Sequence, residues 1–129
     1  MKPRIAILAS GGGTTAEAFI RANQAGEIAV DVGLVIVSRK DAGVFERIDN
    51  LNKEFNLGIQ ATLINSQTHP AASGENVAAG GQTSAEEAAI LAILLGGNYD
   101  LIASLGYMKK IGPHLVEAFG WLPEYQSAF

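Results

Sequence analysis

The apolar run Ile5-Ala6-Ile7-Leu8-Ala9 stops at Ser10-Gly11-Gly12-Gly13-Thr14-Thr15 and gives way to the helical pattern Ala16-Glu17-Ala18-Phe19-Ile20. Few folds accept that order. A short strand without polar alternation is buried on both faces, which is the habit of a parallel sheet. Glycines at its end let the chain turn sharply and bring backbone N–H groups close to a ligand. The helix that follows starts with unpaired N–H donors and the positive end of its dipole. Together they form a cradle for an anion, and a phosphate suits it. Gly11, Gly12, Gly13, Thr14 and Thr15 are therefore the candidate phosphate-binding residues, with Thr14 or Thr15 expected to cap the helix.

The rest of the chain repeats the alternation. Val30–Val37 is a β-branched strand, and Val44–Phe55 spaces Val44, Ile48, Leu51 and Phe55 as a helix closed by Gly58. Ile59–Ile64 reads as a third strand. Asn65–Gly81 is small, polar and glycine-rich, a long loop of about residues 65–83. Ser84-Ala85-Glu86-Glu87 has the pattern of a capping box and opens a helix running to about Leu95, with Glu86 and Glu87 expected to cap and to face water. Asp100–Ser104 is a fourth strand, and Pro113–Phe119 a short helix with proline in its first turn. Residues 121–129 show no stable pattern. The reading is a single α/β domain over residues 1–120 with a mostly parallel sheet. Ser10–Thr15, Ser38–Ala42 and Leu105–Lys110 should meet beyond the carboxyl ends of the strands, where such sheets bind ligands.

Composition narrows the function. The 129 residues are 48% hydrophobic, enough for a core, and the net charge of −4 argues against a partner made of nucleic acid. There is no cysteine, hence no disulfide, thiolate nucleophile or Cys-based zinc site, which fits a reducing cytoplasm, the expected location. No apolar run reaches the ~20 residues of a membrane span, so no membrane partner is expected. The turn is a poor dinucleotide fingerprint: Ala16 stands at the last glycine position, and Ser38-Arg39-Lys40 replaces the acidic residue that would hold ribose hydroxyls. No Gly-Lys-Ser/Thr follows, so it is not a Walker A loop. His69 and His114 stand apart, with no metal-ligand neighbours; no metal is expected. Ser10 has no His and Asp in motif spacing, so a hydrolytic triad is unsupported. Lys109 and Lys110, just past strand four, are candidates for contact with an anionic ligand.

Three segments in this order and spacing, Arg4–Thr15, Val35–Ala42 and Asp100–Ile111 (the last carrying Gly106-Tyr107-Met108-Lys109-Lys110), resemble the N-terminal half of the glycinamide ribonucleotide formyltransferase family. The resemblance covers nearly the whole chain, and Gly-Tyr-Met-Lys is its more specific motif. It implies a three-layer Rossmann-like domain of the formyltransferase type. It also implies transfer of a formyl group from 10-formyltetrahydrofolate, as co-substrate, to the amine of phosphoribosylglycinamide in purine synthesis. By position, Gly13, Thr14 and Thr15 hold the substrate phosphate, while Met108, Lys109, Lys110 and Ile111 line the folate side. Thr15 replaces the usual asparagine, and Ala85 stands where an arginine is often found. The family's catalytic Asn-x-His-Pro and later aspartate would follow Phe129. The chain is therefore expected to be truncated after the fourth strand and inactive alone, with 121–129 leading towards the missing segment. The open sheet edge and Trp121, Leu122, Tyr125 and Phe129 predict self-association. The alternatives are a non-catalytic sugar-phosphate- or nucleotide-binding module, or another formyl-folate enzyme (methionyl-tRNA formyltransferase, formyltetrahydrofolate hydrolase).

Overall fold

The computed structural model describes residues 2–119. Its elements run β1 (Arg4–Ala9), α1 (Thr14–Gln24), β2 (Asp31–Val37), α2 (Val44–Phe55), β3 (Gln60–Leu63), α3 (Ser84–Gly96), β4 (Leu101–Ser104) and α4 (Pro113–Phe119). Each expected strand and helix is present, and α2 and α4 have the expected bounds. The expected 121–129 tail and its aromatics lie outside the described residues.

The sheet order is β3-β2-β1-β4, and every pairing is parallel. Alternation along the strands builds two cores. Ile5, Ile7 and Ala9 of β1, with Val32, Val35 and Val37 of β2, meet Ala16 and Ile20 of α1 and Val44, Ile48 and Leu51 of α2. Ala6 and Leu8, with Leu34 and Ile36, face Ile90 and Leu94 of α3 and Leu115 of α4. The inward parity of β2 changes between Val32 and Leu34 because the register slips there: Ile5 pairs with Val32 but Ala6 with Leu34, leaving Gly33 as the extra residue of a bulge. Each fully buried Leu or Ile contributes roughly 1.5–3 kcal/mol. The result is three layers, α1 and α2 on one face and α3 and α4 on the other. The chain moves outward from β1 to β3 on the first face, then crosses by α3 to place β4 against the other side of β1. The switch point thus lies between β1 and β4.

The helix ends correct several sequence expectations. Gly13, not Thr14 or Thr15, is the N-cap of α1; it sits in the left-handed region at φ 83° and no side chain caps the helix. Threonine is a poor occupant of that region, and a Cβ at Gly13 would lie 2.7 Å from the Val44 side chain, so glycine alone lets α1 and α2 start this close together. Helix α2 closes at Asn56, in the left-handed region at φ 55°, two residues before Gly58. Helix α3 is capped one residue earlier than expected: Thr83 Oγ1 accepts from Glu86 N at 2.9 Å, and Glu86 Oε1 accepts from Thr83 N at 3.0 Å.

That shift releases Glu87 for other work. It is buried rather than solvated, as is Glu86. The Glu87 carboxylate accepts from the backbone N–H of His114 at 2.7 Å and of Leu115 at 3.2 Å, and its second oxygen lies 2.8 Å from His114 Nδ1. One side chain of α3 thus satisfies the opening amides of α4 and docks it on the sheet. A Cβ at Gly112 would collide with that carboxylate. Burial pushes the Glu87 carboxyl up, but the bonds from His114 and Leu115 push it down further, to a net lowering. The Glu87 hydrogen bond and charge raise the His114 imidazole above its usual 6.5.

Two outcomes follow from these contacts. Gly13→Ala should cost about 2–4 kcal/mol in denaturant unfolding, combining left-handed strain with overpacking. Gly11→Ala, whose Cβ would meet nothing within 4 Å, should cost about 1 kcal/mol or less. Because the folded pKa of His114 is raised, its contribution is complete below the unfolded value near 6.5 and is lost as pH climbs through the folded value. Glu87 behaves oppositely: its contribution is present above its unfolded value and lost on acidification. Thermal midpoints followed across neutral pH should therefore decline in the wild type and lose that part of the decline in His114→Ala. Parallel profiles would refute the assignment.

Candidate functional site

The three turns expected to converge do so. Backbone bonds carry each loop off its strand: Ser38 N donates to Ala9 O at 3.1 Å and Leu105 N to Leu8 O at 2.9 Å. Ser10, fully buried, then accepts the Met108 N–H at 2.8 Å and shares a hydrogen bond with Ser38 at 2.5 Å between hydroxyl oxygens. Ser38 O in turn accepts from Asn65 Nδ2 at 3.1 Å. A row of polar groups thus crosses the sheet top from the loop after β4 to the loop after β3.

The glycine turn stands open on one side of this row. Gly12, Thr14 and Thr15 are exposed, and among the described residues a Cβ at Gly11 or Gly12 would meet nothing within 4 Å. Among the described residues, none of the N–H groups of Gly11 to Thr15 donates to another part of the chain. The turn is held from behind. Arg47 of α2 donates Nε to Gly12 O and Nη1 to Glu17, both at 2.6 Å. Glu17 also accepts from Arg21, which makes two bonds to Glu54 at 2.8 and 2.9 Å. Bonds from Arg21 first, then Arg47, lower the Glu17 carboxyl. The paired arginines offset a negative charge in the first turn of α1, where it would otherwise oppose an incoming anion. Sequence reasoning missed Arg47. It lies 35 residues from Gly12, and only its spacing on the first turn of α2 hinted at this position.

The candidate folate-side residues share one loop with different surroundings. Met108 is 78% exposed and Ile111 packs partly against the second core. The Lys109 ammonium is drawn to Glu86, 2.8 and 2.7 Å from its two oxygens, while Lys110 is exposed and its N–H bonds Gly80 O at 2.7 Å. Gln82 grips both ends of the loop, donating to the Tyr107 hydroxyl and accepting from Gly112 N, each at 2.8 Å. The long loop before α3 is tied as well: Thr83 Oγ1 donates to His69 O at 2.6 Å, and Glu75 accepts from Ser84 N at 2.8 Å. His69 bonds Thr68 and Thr83 and His114 bonds Glu87, none of them in the glycine turn, and among the described residues no group of three acidic or histidine side chains could hold a metal.

A hollow of about 300 Å³ lies beyond the ends of β2 and β3, bordered by Ser38–Asp41, Asn65–Gln67 and Lys109. A larger open depression, about 1060 Å³, sits at the opposite end of the sheet around Arg4, Asp31 and Tyr99. Parallel α/β sheets bind ligands at the carboxyl ends, so the smaller one belongs to the candidate site.

No family model matches the sequence, and no curated protein does either. Solved structures do. Glycinamide ribonucleotide transformylase 1 from Geobacillus kaustophilus is 31% identical with a TM-score of 0.74, over 92% of this chain and 54% of its own. Phosphoribosylglycinamide formyltransferase from Bacillus halodurans is 30% identical with a TM-score of 0.69, over 89% and 50%. A formyltetrahydrofolate deformylase from Pseudomonas putida shares the fold alone, at 14% identity and a TM-score of 0.61, over 91% and 35%. The chain spans about half the length of the transformylase structures it matches. In fold and in sequence, this chain matches about half of the glycinamide ribonucleotide formyltransferase structures, consistent with the N-terminal half.

Proposed function

We propose that the chain is the ligand-binding half of a formyl-folate enzyme that moves a formyl group from 10-formyltetrahydrofolate to phosphoribosylglycinamide. The observation that carries this reading is the open glycine turn at the switch point, with its unclaimed amides, in a chain that is 31% identical to a glycinamide ribonucleotide transformylase. The N–H groups of Gly11, Gly12, Gly13, Thr14 and Thr15, with the two threonine hydroxyls, would hold the substrate phosphate as the opening of a helix holds an anion. Met108, Lys109, Lys110 and Ile111 would face the folate. Formyl transfer needs a positioned acid or base and a donor to the developing oxyanion. The reading assigns this chain neither, nor a metal, and gives it binding rather than chemistry, in a cytoplasmic setting.

Titration of the isotopically labelled chain with ribose 5-phosphate should shift the amides of Gly11–Thr15, and 5-formyltetrahydrofolate should shift those of Met108–Ile111. Still resonances at the glycine turn would overturn the reading. A response to the sugar phosphate with none to the folate would favour a sugar-phosphate-binding module. Mixed with both substrates, the chain alone should bind without forming formylated product.

The same reading includes self-association. Among the described residues β4 pairs with β1 alone, and Leu101 on it is 45% exposed, as is Val116 of α4 at 48%. An unpaired, partly apolar edge is a template for another strand. Light scattering should show mass rising with concentration; a constant monomer mass would remove this element.

A further inference from the structure

The hollow beyond β2 and β3 is not part of the glycine turn, since none of residues 11–15 borders it. Among the described residues its border carries three cations, Arg39, Lys40 and Lys109, against one carboxylate, Asp41. That excess of positive charge stands out in a chain whose net charge is −4. The cations are not cancelled equally. Lys109 is paired with the fully buried Glu86. Arg39 reaches Asp41 only at 3.7 Å, with the two side chains 62% and 81% exposed, a geometry in which water screens the attraction. Among the described residues Lys40 makes no salt bridge.

The floor of the hollow is fixed. Asn65 is buried, and its side chain is used at both ends: Nδ2 donates to Ser38 O, while Oδ1 accepts from Gln67 N and Thr68 N, each at 2.9 Å. Thr68 Oγ1 accepts from Asn65 N at 2.9 Å, closing the turn on itself. Ser38 is held through Ser10. A polar floor held by these hydrogen bonds, bordered by the exposed Arg39 and Lys40, suits a small charged group, because groups already fixed lose little freedom on binding. Among the described residues no aliphatic or aromatic one borders the hollow, so that lining offers nothing to stack on or enclose a flat ring.

We infer that the hollow between Ser38–Asp41, Asn65–Gln67 and Lys109 is a second oxyanion subsite, taking a phosphate or carboxylate group through Arg39 and Lys40, separate from the glycine turn. The glycine turn and the hollow share no lining residue. The inference does not depend on the folate reading.

The test uses the labelled chain and two probes, inorganic phosphate and glutarate. In the wild type, the amides of Lys40, Ser66 and Gln67 should shift saturably with at least one probe, with a midpoint of their own, distinct from that of Gly11–Thr15. In Arg39→Gln/Lys40→Gln the midpoint at Ser66 and Gln67 should rise about tenfold through loss of two charge-assisted contacts, and rising salt should weaken wild-type binding. The midpoint at Gly11–Thr15 should stay put. Both changed side chains are exposed, so the fold should survive, and unchanged core resonances would confirm it. Lys40→Gln alone, with a smaller rise, serves if the double variant is unstable. Response to phosphate alone identifies a phosphate group as the natural occupant; response to glutarate identifies a carboxylate. Silence at Ser66 and Gln67 with both probes, or equal midpoints in wild type and variant, would overturn the inference. Silence at Gly11–Thr15 with a response at Ser66 and Gln67 would leave it intact and count only against the proposed phosphate turn.

Discussion

A parallel strand buried on both faces must end by passing from apolar to polar surroundings, and here that passage is Ser10. Residues Ala6 to Ala9 are at most 1% exposed, and Ser10 is as buried as they are. Its hydroxyl cannot reach water, so it must be satisfied within the chain. It is, by the Met108 amide from one neighbouring loop and the Ser38 hydroxyl from the other. A single small side chain therefore fixes the spacing of the loops after β4, β1 and β2. The open glycine turn follows Ser10 directly, and the cationic hollow is bordered by its partner Ser38. Without the tether, neither would have a defined wall.

What the residues revealed and what they withheld divides along contact distance. The strand–turn–helix opening was legible because every piece lies within residues 4–24. The bounds of α2 and α4 were legible because apolar spacing and a first-turn proline are local signals. The cap of α3 was ambiguous. Thr83-Ser84-Ala85-Glu86 and Ser84-Ala85-Glu86-Glu87 both satisfy the same four-residue pattern. The tie is broken by α4, whose opening amides claim Glu87 across 27 or 28 residues and leave Glu86 for the cap. The burial of both glutamates was equally hidden, since a carboxylate is buried only with partners and these partners come from far along the chain. Arg47 behind the glycine turn is the same kind of omission.

The convergence of the candidate turns was legible in outline. The three turns named from the sequence meet, but the candidate residues in them differ in freedom. The glycine turn keeps its amides unclaimed, whereas the Lys109 side chain is drawn aside to Glu86 and the loop around it is gripped by Gln82. Charge alone could not have distinguished Lys109 from Lys110, because the distinction is made by α3.

The Glu87 carboxylate occupies the space that any side chain at position 112 would need. Positions 87 and 112 are therefore linked in what they can tolerate. A bulkier residue at 112 is admissible only beside a shorter one at 87, and that exchange unhooks α4 from α3. Relatives that dock this helix differently should differ at both places together, so paired variation at these two sites would record a change in how the second core is closed.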